Sequence, residues 1–124
     1  MSVSEVGGST AGGPPPRIRL VLVTVPDEST GISLAREMVE GGLAACGNVI
    51  PGVTSIYRWE EKLQQDPESL IIFKTTEDSL PELKKRVVEL HPYEVPEFLA
   101  LPIEDGHLPY LRWVQGEVDE KGRS

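Results

Sequence analysis

The stretch Ile18-Arg19-Leu20-Val21-Leu22-Val23-Thr24-Val25 is almost entirely β-branched or aliphatic, with Ile18, Leu20 and Leu22 on one alternating face and Val21, Val23 and Val25 on the other. Such a segment reads as a central strand that needs cover from two sides. Downstream, Pro26-Asp27-Glu28 breaks the run and Ser29 or Thr30 offers a helix cap. Ile32, Ala35, Met38 and Val39 then recur at helical spacing until Gly41-Gly42 supplies a stop. A second extended region runs from Leu43 to about Trp59, bends at Pro51-Gly52 and returns as Leu70 to Thr75, so a long hairpin follows the first helix.

Ser79-Leu80-Pro81-Glu82 has the form of a capping box with Pro in the first turn, and Leu80, Leu83, Val87 and Leu90 continue it as one apolar stripe. Pro92 and Pro96 fix φ and push their predecessors toward extended geometry. The helix therefore stops near Leu90, and a stiff turn, His91 to Glu97, leads into a strand from Phe98 to Ile103. A short helix over roughly Pro109 to Gln115 closes the body. The order β-α-β-β-α-β-α predicts an α+β, ferredoxin-like antiparallel sheet with both main helices on one face.

That arrangement leaves the second sheet face bare, yet Ile18 to Val25, Leu70 to Phe73 and Phe98 to Ile103 are apolar on both faces. A short last helix cannot cover a whole sheet, and a projecting two-stranded ribbon is marginal in water, so the economical cover is another copy of the chain. Residues 18–116 are expected to form the single domain. Residues 1–17, with Gly7-Gly8, Gly12-Gly13 and Pro14-Pro15-Pro16, read as a tail that cannot bury a core, and residues 117–124 as a polar end.

Across 124 residues the net charge is −8, which argues against nucleic acid, whose affinity comes mainly from Lys and Arg neutralising phosphates. One cysteine, Cys46, cannot form an intramolecular disulfide, so nothing asks for an oxidising compartment and the cytoplasm is the expected location. The longest apolar run, Leu20 to Val23, is too short to span a bilayer, and the start lacks a signal-peptide pattern.

The turn from His91 to Glu97 concentrates candidate ligands, yet a single imidazole does not hold copper or zinc tightly, because the usual sites use three or four ligands. His91 is thus either a structural histidine or one member of a metal site with Glu94, Glu97, Cys46 or His107. Cys46, after Ala44-Ala45 in a strand, is a small buried hydrophobe or a soft ligand. Tyr57, Trp59, Tyr93 and Trp113 are interface packing or the lining of an inter-subunit cleft with a polar tip toward a ligand. Lys74, ending an apolar strand, reaches solvent, pairs with an acid or meets an anionic ligand.

Several of these segments together carry a resemblance: Thr24-Val25-Pro26-Asp27-Glu28, Leu43-Ala44-Ala45-Cys46, Ile50 to Trp59, Lys74-Thr75-Thr76, His91-Pro92-Tyr93 with Pro96-Glu97, and Tyr110-Leu111-Arg112-Trp113. In this order the chain resembles the CutA family of divalent-cation tolerance proteins. The resemblance implies a homotrimer with sheets facing inward and interlocked hairpin ribbons, a role in tolerance of divalent cations such as copper, no organic cofactor and no catalytic mechanism. It also implies a copper site at positions matching Thr24 and Leu90-His91, of which only His91 keeps a ligand, while Cys46 matches the family's cysteine of the second strand. Where the family has glycine at the hairpin tip this chain has Glu61. With Pro67 further on, the tip is expected to shift toward Gln65-Asp66-Pro67-Glu68.

The competing reading is a trimeric small-ligand sensor resembling the PII signalling proteins, with an anionic nucleotide in its clefts. The missing Gly-rich phosphate loop weakens it. An RNA-recognition domain would need exposed aromatics on the central strands, and an acylphosphatase-like enzyme a Gly-rich turn with an Arg after the first strand. Pro26-Asp27-Glu28 stands there instead.

Overall fold

The computed structural model describes residues 13–122, so residues 1–12 of the expected tail and the last two residues of the polar end lie outside the described residues. Along that span run β1 (Ile18–Val25), α1 (Glu28–Glu40), β2 (Cys46–Trp59), β3 (Lys62–Thr76), α2 (Leu80–Leu90), β4 (Leu99–Pro102) and α3 (Leu108–Gly122). The strands form one antiparallel sheet in the order β2-β3-β1-β4. As its composition demands, β1 is internal, paired with β3 from Ile18↔Thr76 to Val25↔Ser69 and with β4 from Arg19↔Pro102 to Leu22↔Leu99.

Register divides the sheet into two unlike faces. Val21, Val23 and Val25 lie beside Phe73 and Ile71, all fully buried beneath Leu34, Ala35 and Met38 of α1 and Leu83 and Val87 of α2. The opposite face carries Leu20, Leu22, Leu70 and Ile72, which are half-buried, and Ile50, Leu99 and Leu101, which are 42%, 55% and 45% exposed. Fully burying one such side chain is worth about 1.5–3 kcal/mol, so this open face holds a large unused share of the hydrophobic driving force.

α3 covers only the end of that face. Leu111, Val114 and Val118 pack on Ile18 and Ala45. The expected short helix over 109–115 is in fact a helix to Gly122, because the apolar spacing of Leu111 and Val114 continues to Val118 beyond Gln115. At the other terminus Pro16 is buried, and the Glu77 N–H donates to the Arg17 carbonyl at 2.8 Å, so the residues just before β1 are attached to the sheet.

Both helix caps differ from the sequence expectation. α1 is capped by Asp27, not by Ser29 or Thr30: its backbone is extended and its carboxylate accepts from the Thr30 N–H at 2.8 Å and the Ser29 hydroxyl at 3.0 Å. These bonds hold the Asp27 carboxyl below its ordinary value. Ser79 precedes α2 but makes no capping bond, because its φ of −87° and ψ of −7° are helical where a cap needs extended backbone. The stop after α1 is as expected: Gly42 takes φ +73°, and Leu43 N–H returns to the Met38 carbonyl.

The long hairpin bends where Pro51-Gly52 interrupts the ladder between Ile50 and Val53, with Gly52 at φ +77°. Its tip does not move to 65–68. It turns at Glu60-Glu61, between the pair Trp59↔Lys62, with φ of +50° and +67°. Pro67 stays in the ladder opposite Thr54 because the β1–β3 pairing ends at Val25↔Ser69, leaving β3 without a strand on its other side at that point. Two non-glycine residues in the left-handed region store strain of about 1–2 kcal/mol each. Replacing Glu60-Glu61 by Asn-Gly is therefore expected to raise the unfolding free energy by about 1 kcal/mol, read from the urea midpoint at unchanged slope.

Candidate functional site

The polar groups that gather in this chain do so where the ribbon leaves the sheet. Even-numbered residues of β3 from Lys62 to Lys74 share one side, so Asp66 and Glu68 continue the line of Leu70 and Ile72 on the open face. Tyr57, on the same side of β2, donates its hydroxyl to Asp66 at 2.6 Å. Tyr93, from the turn after α2, donates to Glu68 at 2.6 Å, and Glu97 stands near enough to feel the Glu68 charge. The α2–β4 turn is thereby fastened to the root of the ribbon.

His91 anchors the other end of that turn. The ring is 7% exposed; its Nε2 donates to the Thr24 carbonyl at 2.7 Å, and its Nδ1 accepts the Tyr93 N–H at 3.0 Å. The rings of His91 and Tyr93 lie 4.8 Å apart. Thr24 and His91, the two positions linked by the resemblance, are thus brought into contact through a backbone carbonyl.

Electrostatics follow the burial of this corner. Burial first, then the bond to Glu68, raises the Tyr93 hydroxyl well above the usual phenol range. Burial and then the Glu68 charge lift the Glu97 carboxyl above its ordinary value. For Tyr57 the larger cause of a raised value is the bond to Asp66.

A second cluster sits on the open face. Lys74 donates to the Asn48 side-chain oxygen at 2.5 Å and stands 4.0 Å from the Cys46 sulfur, which itself lies 3.9 Å from that oxygen. The Lys74 ammonium is therefore met by a neutral amide and a thiol. Tyr110 of α3 borders the cluster, its hydroxyl raised by burial and then by Cys46, and packs 5.5 Å from Trp113.

Within one chain the other candidates stay apart. Trp59 is 55% exposed at the far end of the ribbon, Trp113 belongs to the α3 packing, and Glu94 and His107 are exposed. Among the described residues no three His, Cys, Asp or Glu side chains come together to hold a metal ion. Asp66, Glu68, Asn48 and Tyr110 were missed by the sequence reading. For Asp66 and Glu68 the signal is their period-2 alignment with Tyr57, which becomes legible once the hairpin tip is placed at Glu60-Glu61.

Fold and site together define an α+β protein with one sheet face under two helices, a projecting ribbon, and a tyrosine–carboxylate network fastening that ribbon to a turn. The family described as CutA1 divalent ion tolerance protein matches residues 19–117, and the chain belongs to it. It is 50% identical over 96 residues to the divalent-cation tolerance protein CutA of Thermus thermophilus, covering 77% of this chain and 93% of that one. It is 44% identical to the human protein CutA over 90% of this chain, and spans 63% of the human protein's length. The crystal structure of CutA1 from Oryza sativa matches with a TM-score of 0.81 at 44% identity, over 83% of this chain and 94% of that one. The T. thermophilus structure matches with a TM-score of 0.77, over 78% and 94%.

Removing the Tyr93 bond with Tyr93→Phe is expected to cost about 1 kcal/mol, measured by urea unfolding at neutral pH. Glu97→Gln is expected to act in the opposite direction. The raised carboxyl binds its proton more tightly folded than unfolded, so wild-type stability declines as pH climbs from the ordinary glutamate value through the raised one. The variant lacks that decline: it equals wild type in acid and exceeds it at pH 7.

Proposed function

We propose that the chain acts as a homotrimeric divalent-cation tolerance protein, a ferredoxin-like subunit whose open sheet faces turn inward, working in the cytoplasm with copper among the cations it meets. The observation that carries the assembly is the open face, where Leu20, Leu22, Leu70 and Ile72 are half-covered and Leu99 and Leu101 are exposed. The strand order β2-β3-β1-β4 with α1 and α2 on one side supports the ferredoxin-like reading. The relatives' names support cation tolerance, and they describe tolerance proteins rather than enzymes. Among the described residues no helix is long and apolar enough to cross a membrane. Relatives carry chloroplastic and periplasmic designations as well, so the compartment rests on the reading of Cys46 alone.

Among the described residues the donors of a single chain do not fit a tight copper site: the thiol of Cys46 lies beside an ammonium, and both nitrogens of His91 are engaged. Cation binding is accordingly taken as a property of the assembly, with the carboxylates Asp66, Glu68 and Glu97 at the margins of the joined faces. Native mass spectrometry of chelator-treated protein, with and without Cu(II), tests both parts. The expected species has about three times the 13.6 kDa chain mass and takes up copper in a fixed ratio. A 13.6 kDa monomer contradicts the assembly, and a trimer that takes up no copper contradicts the cation role.

A further inference from the structure

We infer that His91 is a positioning residue that clamps the 91–97 turn to the end of β1 and takes no part in holding a cation. The geometry determines the form of the ring. A carbonyl oxygen only accepts, so the nitrogen 2.7 Å from the Thr24 oxygen, Nε2, carries the hydrogen. The Tyr93 N–H points at Nδ1 from 3.0 Å, so that nitrogen presents its lone pair. Together these make the neutral Nε2–H tautomer with both ring nitrogens occupied.

Local sequence explains why the ring sits there. An acceptor on residue 91 receiving the N–H of residue 93 is the bond an Asn or Asp makes in an Asx-turn, and Pro92 between them holds φ fixed. On the other side, β4 ends its pairing with β1 at Leu22↔Leu99, two residues short of Thr24. His91 meets the Thr24 carbonyl just past that point. From β1 the connection continues through Tyr93 to Glu68 on β3, so the clamp sets where the ribbon departs from the sheet.

A cation at either nitrogen would need the lone pair given to Tyr93 N–H or the proton given to Thr24. Either exchange strands a polar group in a ring environment 7% exposed, and a buried unpaired donor or acceptor is costly. This inference concerns the same cation-tolerance reading but rests on the turn's own hydrogen bonds.

The test uses full-length protein with 15N-labelled imidazoles, followed by long-range proton–nitrogen correlation before and after addition of Zn(II), with the exposed His107 as the internal comparison. His91 is expected to show the neutral Nε2–H pattern throughout, unchanged by Zn(II). In parallel, His91→Ala is expected to lower the thermal midpoint. His91→Gln, which keeps a donor within reach of Thr24, is expected to recover part of the loss, with zinc uptake per chain the same as wild type. A Zn(II)-dependent shift at the His91 nitrogens, an Nδ1–H or doubly protonated pattern, or loss of one zinc per chain in His91→Gln would overturn the clamp. If His91→Ala does not fold, the spectrum of the unaltered protein decides. A chain that takes up no zinc at all counts against the cation-tolerance reading, while the tautomer pattern still decides the clamp.

Discussion

One constraint underlies the whole molecule: β1 and β3 are apolar on both faces, and the chain's own helices cover one of them and just the end of the other. Val21, Val23, Val25, Ile71 and Phe73 are sealed beneath α1 and α2, and that layer is the core. On the reverse, Leu20, Leu22, Leu70 and Ile72 wait half-covered beside exposed Leu99 and Leu101. α3 extends further than its sequence suggested, yet its buried Leu111, Val114 and Val118 pack on Ile18 and Ala45 at one end of this face. The proposed assembly rests on this surface, since the driving force lost by leaving it wet is several times that of any single polar contact in the chain.

The ribbon inherits the same side. Because strand residues alternate, the side of β3 that presents Leu70 and Ile72 also presents Asp66 and Glu68 further along, so the apolar face passes directly into an acidic margin. Tyrosines restrain that margin from two directions, Tyr57 within the ribbon and Tyr93 from the turn. His91 holds the turn itself by spending its whole hydrogen-bonding capacity on backbone groups. The histidine most suggestive of metal chemistry in the sequence thus has both ring nitrogens engaged in the geometry of the turn.

Much of this was legible from residue pattern. The doubly apolar Ile18–Val25, the periodic stripes of both main helices and the Pro51-Gly52 bend each reported a local constraint that the fold obeys. The misreadings share one origin, which is competition between local options of similar energy. Asp27 outcompetes Ser29 and Thr30 because its own backbone is extended and its carboxylate reaches the Thr30 N–H, whereas Ser79 is helical and cannot cap. Pro67 looked like a turn signal, but the continuous pairing of two long strands outweighs the strain of Glu60 and Glu61 at positive φ. Misplacing that tip hid the register, and with it the tyrosine–carboxylate pairs. His91 was ambiguous because bonds to the Thr24 carbonyl and the Tyr93 N–H are tertiary facts that no spacing encodes.

The proposed burial of the open face between copies of the chain can be read by methyl NMR with a soluble gadolinium chelate as a probe of solvent access. The methyls of Leu20, Leu22, Leu70, Ile72, Leu99 and Leu101 are expected to be protected as well as those of Val21 and Val23 in the covered core. Broadening of the open-face methyls to the level of Leu63, which is 72% exposed on the ribbon, would contradict it.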